Sequence, residues 1–174
     1  EVAGEMKERI GRLLQRYEAL EEQSAAIGEG LEKLLAQLSP EARQPLEALC
    51  ISPWLTAVLL ANTGDLRAYA HGNQVLALAG LNLAECSSGK RRGQITLSKR
   101  GRRQLRKYLY LTVLGLVVNH PAFKRWHAHN VNSLRMKKNT SILKLVGKLA
   151  RILVGLAHSG ECFDEQRHPV HLAA

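Results

Sequence analysis

The residues of this chain whose types and spacing could do covalent chemistry are Ser87-Ser88-Gly89-Lys90-Arg91-Arg92-Gly93. A serine hydroxyl becomes a nucleophile when a neighbouring group accepts its proton, and guanidinium and ammonium groups stabilise charge developing on a phosphate. Glycines let the backbone come close to a ligand. The chemistry such a run would serve is attack on a phosphodiester with a covalent seryl intermediate, which conserves the bond energy for rejoining. Metal-dependent cleavage needs clustered carboxylates instead. From Cys86 to Gly160 there is no Asp or Glu, so this stretch cannot build a two-metal site by itself. A serine in a Gly-rich loop is also an ordinary turn residue, and the residue types alone leave both readings open.

The charge pattern favours a polyanionic partner. The net charge is +10. Residues 1–49 hold ten acidic and six basic side chains, whereas residues 50–174 hold five and nineteen. An ordinary solvated surface mixes both signs, so a long segment purged of one sign points first to nucleic acid. The cysteines Cys50, Cys86 and Cys162 are odd in number and far apart, which suits a reducing compartment rather than a disulfide framework. The close pairs His127/His129 and His168/His171 lack Cys or carboxylate company at zinc-ligand spacing, so no metal is assigned to this chain. No apolar run approaches the roughly 18 residues a membrane span needs. The chain starts at Glu1 without a signal-peptide pattern and reads as a soluble, cytoplasmic piece of something longer.

The elements that would position this chemistry give an all-α reading: a coiled-coil helix over 1–39, a compact helical domain with a long functional loop over 40–160, and a loose tail over 161–174. Met6, Ile10, Leu13, Tyr17, Leu20, Ser24, Ile27, Leu31, Leu34 and Leu38 follow at alternating gaps of four and three, an unbroken heptad seam. Such a seam implies a homodimer or higher oligomer, with packing on the chain's own C-terminal domain as the alternative. Gly11, Gly28 and Gly30 weaken the helix by about 1 kcal/mol each, and a bend or break is expected near Gly28–Gly30. Ser39-Pro40 and Ser52-Pro53 each open a helix. Leu46–Leu49 and Pro53–Asn62 resemble a degenerate helix-hairpin-helix, with Ile51-Ser52-Pro53 in place of the usual Gly-x-Gly turn. A short helix over Asn73–Ala79 ends at Gly80. Leu81–Leu97 lacks helical periodicity and reads as a long loop, with a short β-hairpin as one form it could take; loops of that length are usually functional. Ser98 would cap a helix from about Lys99 to Asn119, whose first half carries Lys99, Arg100, Arg102, Arg103, Arg106 and Lys107. That end would project beside the serine loop. Cations at a helix N-terminus oppose its dipole, a conflict that a bound anion would relieve. Pro121 starts another helix. A last one, from about Ser141 to His158, sets Ile142, Leu145, Val146, Leu149, Leu153 and Leu156 on one face and Lys144, Lys148 and Arg151 on the opposite stripe.

The run Gly80-Leu81-Asn82-Leu83-Ala84-Glu85-Cys86-Ser87-Ser88-Gly89, with Arg92-Gly93-Gln94-Ile95, Ser98-Lys99-Arg100-Gly101 and Leu105-Arg106, resembles the transposase domain of the DEDD insertion-sequence transposases. That family includes the bridge-RNA-guided recombinases and the Piv-type DNA invertases. The likeness spans roughly Leu46 to Leu156, and Thr56-Ala57, Gly64-Asp65-Leu66 and Lys148–Leu153 fit it as well. Leu83 stands where the family usually has proline, and Arg102 where an Asn follows the glycine.

The resemblance implies that the coiled coil links this domain to an N-terminal RuvC-like domain whose four acids hold Mg2+. It implies that a serine of the transposase domain becomes joined to a DNA 5′-phosphate. The serine before the glycine matches Ser88; Ser87 is the adjacent alternative and Cys86 a remote one. Lys90, Arg91, Arg92, Lys99, Arg100, Arg102, Arg103, Arg106, Lys107, Lys144, Lys148 and Arg151 are then the candidate contacts to nucleic acid. The partners are DNA, a guide RNA and further copies of the chain, with no membrane, in a bacterial nucleoid-associated setting. The rival reading is a non-catalytic coiled-coil scaffold that binds nucleic acid.

Overall fold

Pro40, Pro53 and Pro121 each stand at the start of a helix in the computed structural model, which describes residues 2–88 and 91–167, with side chains over 4–84 and 96–167. The helices are α1 (Val2–Gln37), α2 (Pro40–Glu47), α3 (Pro53–Thr63), α4 (Gly72–Leu78), α5 (Arg103–Asn119), α6 (Pro121–Ala128) and α7 (Lys138–Ser159). Strands β1 (Leu83–Ser88) and β2 (Arg91–Leu97) pair between α4 and α5. The described fold is thus all-α with one small antiparallel hairpin. Single 3-10 turns occur at Leu66–Ala68 and Glu165–Arg167, and a π turn at His129–Ser133.

The chain divides into two units, residues 1–38 and 39–174. In the first, α1 is helical without interruption, so the expected break near Gly28–Gly30 does not occur. Glycine lowers helix propensity but keeps both backbone hydrogen-bonding groups, and restarting a helix costs a new nucleus. At 1.5 Å per residue α1 is roughly 50 Å long. Met6, Ile10, Leu13, Tyr17, Leu20, Ile27 and Leu34 along its seam are each more than half exposed.

In the second unit α7 is the central element. Its predicted apolar face is buried in full, and Ala150, Ile152, Val154 and Ala157 are buried as well, because α2, α4, α5 and α6 all pack on it. Helix α5 contributes Leu105, Leu109, Val113 and Leu116 to the same core, and α6 contributes Phe123 and Trp126. The Ser52 hydroxyl caps α3 by accepting from the Leu55 N–H at 3.5 Å, and the Gly64 N–H closes its far end on the Leu60 carbonyl at 2.7 Å. The first part of the tail is not loose: the Phe163 ring packs edge-on against His120, with centroids 5.3 Å apart, and Glu165 pairs with Arg125.

In the middle of the chain Leu81–Leu97 takes the β-hairpin form left open by the sequence, and α5 begins at Arg103 rather than Lys99. The reason is a backbone clamp. The Lys99 N–H donates to the Gly80 carbonyl at 2.9 Å and the Arg102 N–H to the Leu78 carbonyl at 2.7 Å, which holds residues 99–102 out of the helix. Lys99 takes a φ of 53°, outside the helical region. Ser98 does not cap the helix; its hydroxyl bonds Asn82 Oδ1 at 2.5 Å. A Cβ on Gly101 would lie 2.4 Å from the Gly80 nitrogen and 2.5 Å from the Leu78 oxygen. These are backbone atoms with little room to move. Gly101→Ala is therefore expected to destabilise the second unit by about 1–3 kcal/mol, the usual cost of overpacking, while Gly115→Ala, whose Cβ would meet nothing within 4 Å, should leave stability unchanged or higher. Thermal or urea denaturation measures both, and a Gly101→Ala protein as stable as the parent would contradict the clamp.

Candidate nucleic-acid interface

The hairpin sets the candidate nucleophile at the end of its first strand. Leu83 pairs with Leu97, Ala84 with Thr96, Glu85 with Ile95 and Cys86 with Gln94, but Ser88 pairs with Arg91. The register therefore shifts by one residue, so that Arg92 and Gly93 face Ser87 alone across the ladder. Such bulges bend a strand and occur often beside functional sites. Ser88 is the last residue of β1, and at ~3.3 Å per residue it lies roughly 20 Å along the strand from Asn82. The side chains of Ser88, Arg91 and Arg92, and all of Lys90, lie outside the described residues.

The cationic start of α5 follows on the base of the hairpin, where the Ser98 N–H donates to the Asn82 carbonyl and the Ser98 hydroxyl bonds Asn82 Oδ1. The cations also divide into two groups. The Arg102 guanidinium bonds the Asn62 carbonyl in the last turn of α3, and Arg106 Nη1 donates to the Ala79 carbonyl at the end of α4 at 2.8 Å. Helix C-termini carry partial negative charge, which favours these two contacts. Lys99, Arg100, Arg102, Arg103 and Lys107 are exposed and Arg106 is half-buried.

The second candidate stripe, on α7, is also altered. Lys144 is half-buried and Arg151 exposed, but Lys148 is only 8% exposed. Its Nζ lies 3.6 Å from the centre of the Trp126 ring, a cation–π contact to α6. The solvent stripe runs through Lys144, Gly147, Arg151 and Gly155, and Lys148 falls at its edge, where Trp126 covers it. Lys148 is therefore a packing residue and not a phosphate contact. Nothing in the helical periodicity marked Trp126 as its partner, since the two lie on different helices.

A serine–histidine pair that sequence reasoning missed lies on the same faces of α6 and α7. Ser141 Oγ is 2.9 Å from His127 Nδ1 and 3.1 Å from Asn130 Nδ2. Ser141 is wholly buried, so no phosphate can reach it, and the trio serves to tie the π turn to α7. Among the described residues there is no group of three or more His, Cys, Asp or Glu that could hold a metal ion. Nor is any described helix long and apolar enough to cross a membrane.

This architecture is a basic helical domain that presents a β-hairpin beside a cationic helix start. Residues 48–128 match the model of the transposase IS116/IS110/IS902 family. The matched stretch runs from the turn after α2 to the end of α6 and includes the whole hairpin and α5. No curated protein matches the chain.

Burial lowers the Lys148 pKa from 10.5 to about 8, with repulsion from Arg151 and Lys144 in the same direction and Glu165 opposing. Between these two values the unfolded chain holds the extra proton and the folded chain does not. Stability from this group therefore rises as pH increases from about 8 to 10.5. Lys148→Met keeps most of the stem and removes the charge. Denaturant melts across that window should show a smaller rise in stability with pH for the variant than for the parent, and parallel curves would contradict the assignment.

Proposed function

We propose that this chain is the C-terminal half of a DNA transposase or recombinase, which binds DNA and a guide RNA and supplies Ser88 as the nucleophile for strand cleavage and exchange. One observation carries the reading: the stretch that matches a transposase family overlaps, over residues 86–128, the long run that holds no Asp or Glu. The hairpin supports it further, because a serine at the end of a strand in a two-stranded hairpin can enter a nucleic-acid groove that a core serine cannot. The guide RNA rests on the resemblance of the motifs around Gly80–Gly101.

In the proposed step Ser88 Oγ attacks phosphorus, the Oγ–P bond forms, and the P–O3′ bond breaks. The serine proton leaves to a general base and the 3′-oxygen takes up a proton. Lys90, Arg91 and Arg92 would balance the charge on the phosphoryl oxygens. On this reading Mg2+ is held by acids other than those described above. The bond energy is kept in the seryl phosphodiester, so rejoining is the reverse step with a new 3′-hydroxyl.

Ser88→Ala in the complete recombinase should abolish the covalent protein–DNA adduct trapped on a nicked substrate. Binding should change by less than about twofold, since contact to DNA is dominated by charge. Peptide mapping by mass spectrometry should find the phosphoryl linkage on Ser88. Linkage to Ser87, or adduct formation by Ser88→Ala, would show that another residue attacks.

We also propose that α1 pairs with α1 of another copy. The exposed seam supports this, because a regular row of large apolar side chains is stable in water only when covered. Leu20→Glu together with Ile27→Glu should give a monomer by light scattering with the circular dichroism of the second unit retained. An unchanged oligomer would place the interface elsewhere.

A further inference from the structure

A groove of 400 Å³ lies where the base of the hairpin meets α5 and α7. Its lining is of two kinds. Lys99, Arg103, Arg106 and Lys107 supply cations, and no carboxylate reaches it. Leu81, Leu97, Tyr110, Leu111, Leu143 and Val146 supply an apolar and aromatic floor. The arrangement follows from the helix repeat: Arg103, Lys107 and Leu111 are four residues apart, as are Arg106 and Tyr110, so one face of α5 is cationic at its start and apolar a turn later. Leu111 and Leu143 are each 39% exposed, although both are large and apolar.

A duplex offers such a surface only half a match. Its phosphates would meet the cations, but its base faces are covered by stacking and would leave the floor wet. An unpaired nucleotide offers both halves: a phosphate for the rim and a flat ring for the floor. Single-strand binding sites combine these features, a positive track and aromatic platforms on which bases stack. The volume falls in the roughly 300–1,000 Å³ range of small-ligand sites, which is room for one nucleotide and not for a helix.

We propose that this groove binds one unpaired nucleotide of a single-stranded segment, its base on Tyr110, Leu111 and Leu143 and its phosphates on Lys99, Arg103 and Lys107. The inference rests on the nucleic-acid reading above and adds to it a preference for single over double strands at a site formed by the hairpin base, α5 and α7. Arg106 is already held by the Ala79 carbonyl and so forms a fixed wall of the groove.

The test uses the full chain, a short fluorescein-labelled single strand carrying one 5-iodouracil, and the same sequence as duplex. Tyr110→Ala and Leu143→Gln should each weaken single-strand binding about tenfold, as loss of a stacking platform does, and duplex binding less than twofold. Irradiation of the unmutated protein should crosslink the iodouracil to the peptide that contains Tyr110, which guards against a variant that misfolds. If both strands bind but neither substitution matters and the crosslink maps elsewhere, the groove assignment falls and the nucleic-acid reading stands. If neither strand binds at low salt, the nucleic-acid reading falls with it. Binding of phosphatidylglycerol vesicles that displaces the strand, where unlabelled strand does not, would overturn the assignment in favour of a lipid.

Discussion

The contact on which the second unit depends is the backbone apposition of Gly80 and Gly101. The two segments approach so closely that a Cβ on either glycine would meet backbone at 2.4–2.9 Å. Two main-chain hydrogen bonds, Lys99 to Gly80 and Arg102 to Leu78, fix that approach. They set where α4 ends, where the hairpin leaves the body and where α5 begins. Gly80 makes the junction possible in a second way: at a φ of 68° it reverses the chain after α4, and the Leu81 N–H returns to the Leu76 carbonyl at 2.8 Å. The hairpin is thus anchored at its base by main chain rather than by side-chain packing. Its strands extend away from that base toward Ser88.

The clamp also determines which positive charges are available. A run of cations at the start of a helix opposes its dipole, and an external anion is one remedy. Here part of the remedy is internal, because Arg102 and Arg106 reach carbonyls at the ends of α3 and α4. Around the start of α5, Lys99, Arg100, Arg102, Arg103 and Lys107 are exposed while Arg106 is half-buried. On α7 the same sorting occurs by packing. Lys148 is drawn under Trp126, while Lys144 and Arg151 stay on the solvent stripe. A basic composition therefore overstates the number of cations that can meet a polyanion.

Much of this was legible from residue order alone, for local physical reasons. Proline at the first helical position marks the starts of α2, α3 and α6 through backbone geometry, with serine before it at α2 and α3 and glycine after the end at α3. Heptad spacing gave α1, and the apolar period gave the buried face of α7. The motif run around Gly80–Gly101 pointed to a transposase-type domain, which the match over 48–128 supports at the level of the family. These signals are short-range: each depends on residues within one or two turns of each other.

Tertiary structure decided what involves residues distant in sequence. That Leu81–Leu97 pairs into a hairpin, with a one-residue slip before Ser88, depends on cross-strand hydrogen bonds that a periodicity count does not see. That Lys99 and Arg100 belong to the clamp and not to α5 depends on Gly80, some twenty residues earlier in the chain. The sequence alone determined the elements and the sign of the surface, because propensity, capping and charge are properties of neighbours. Which cation faces solvent was decided only by packing, because that is set by contacts between different helices.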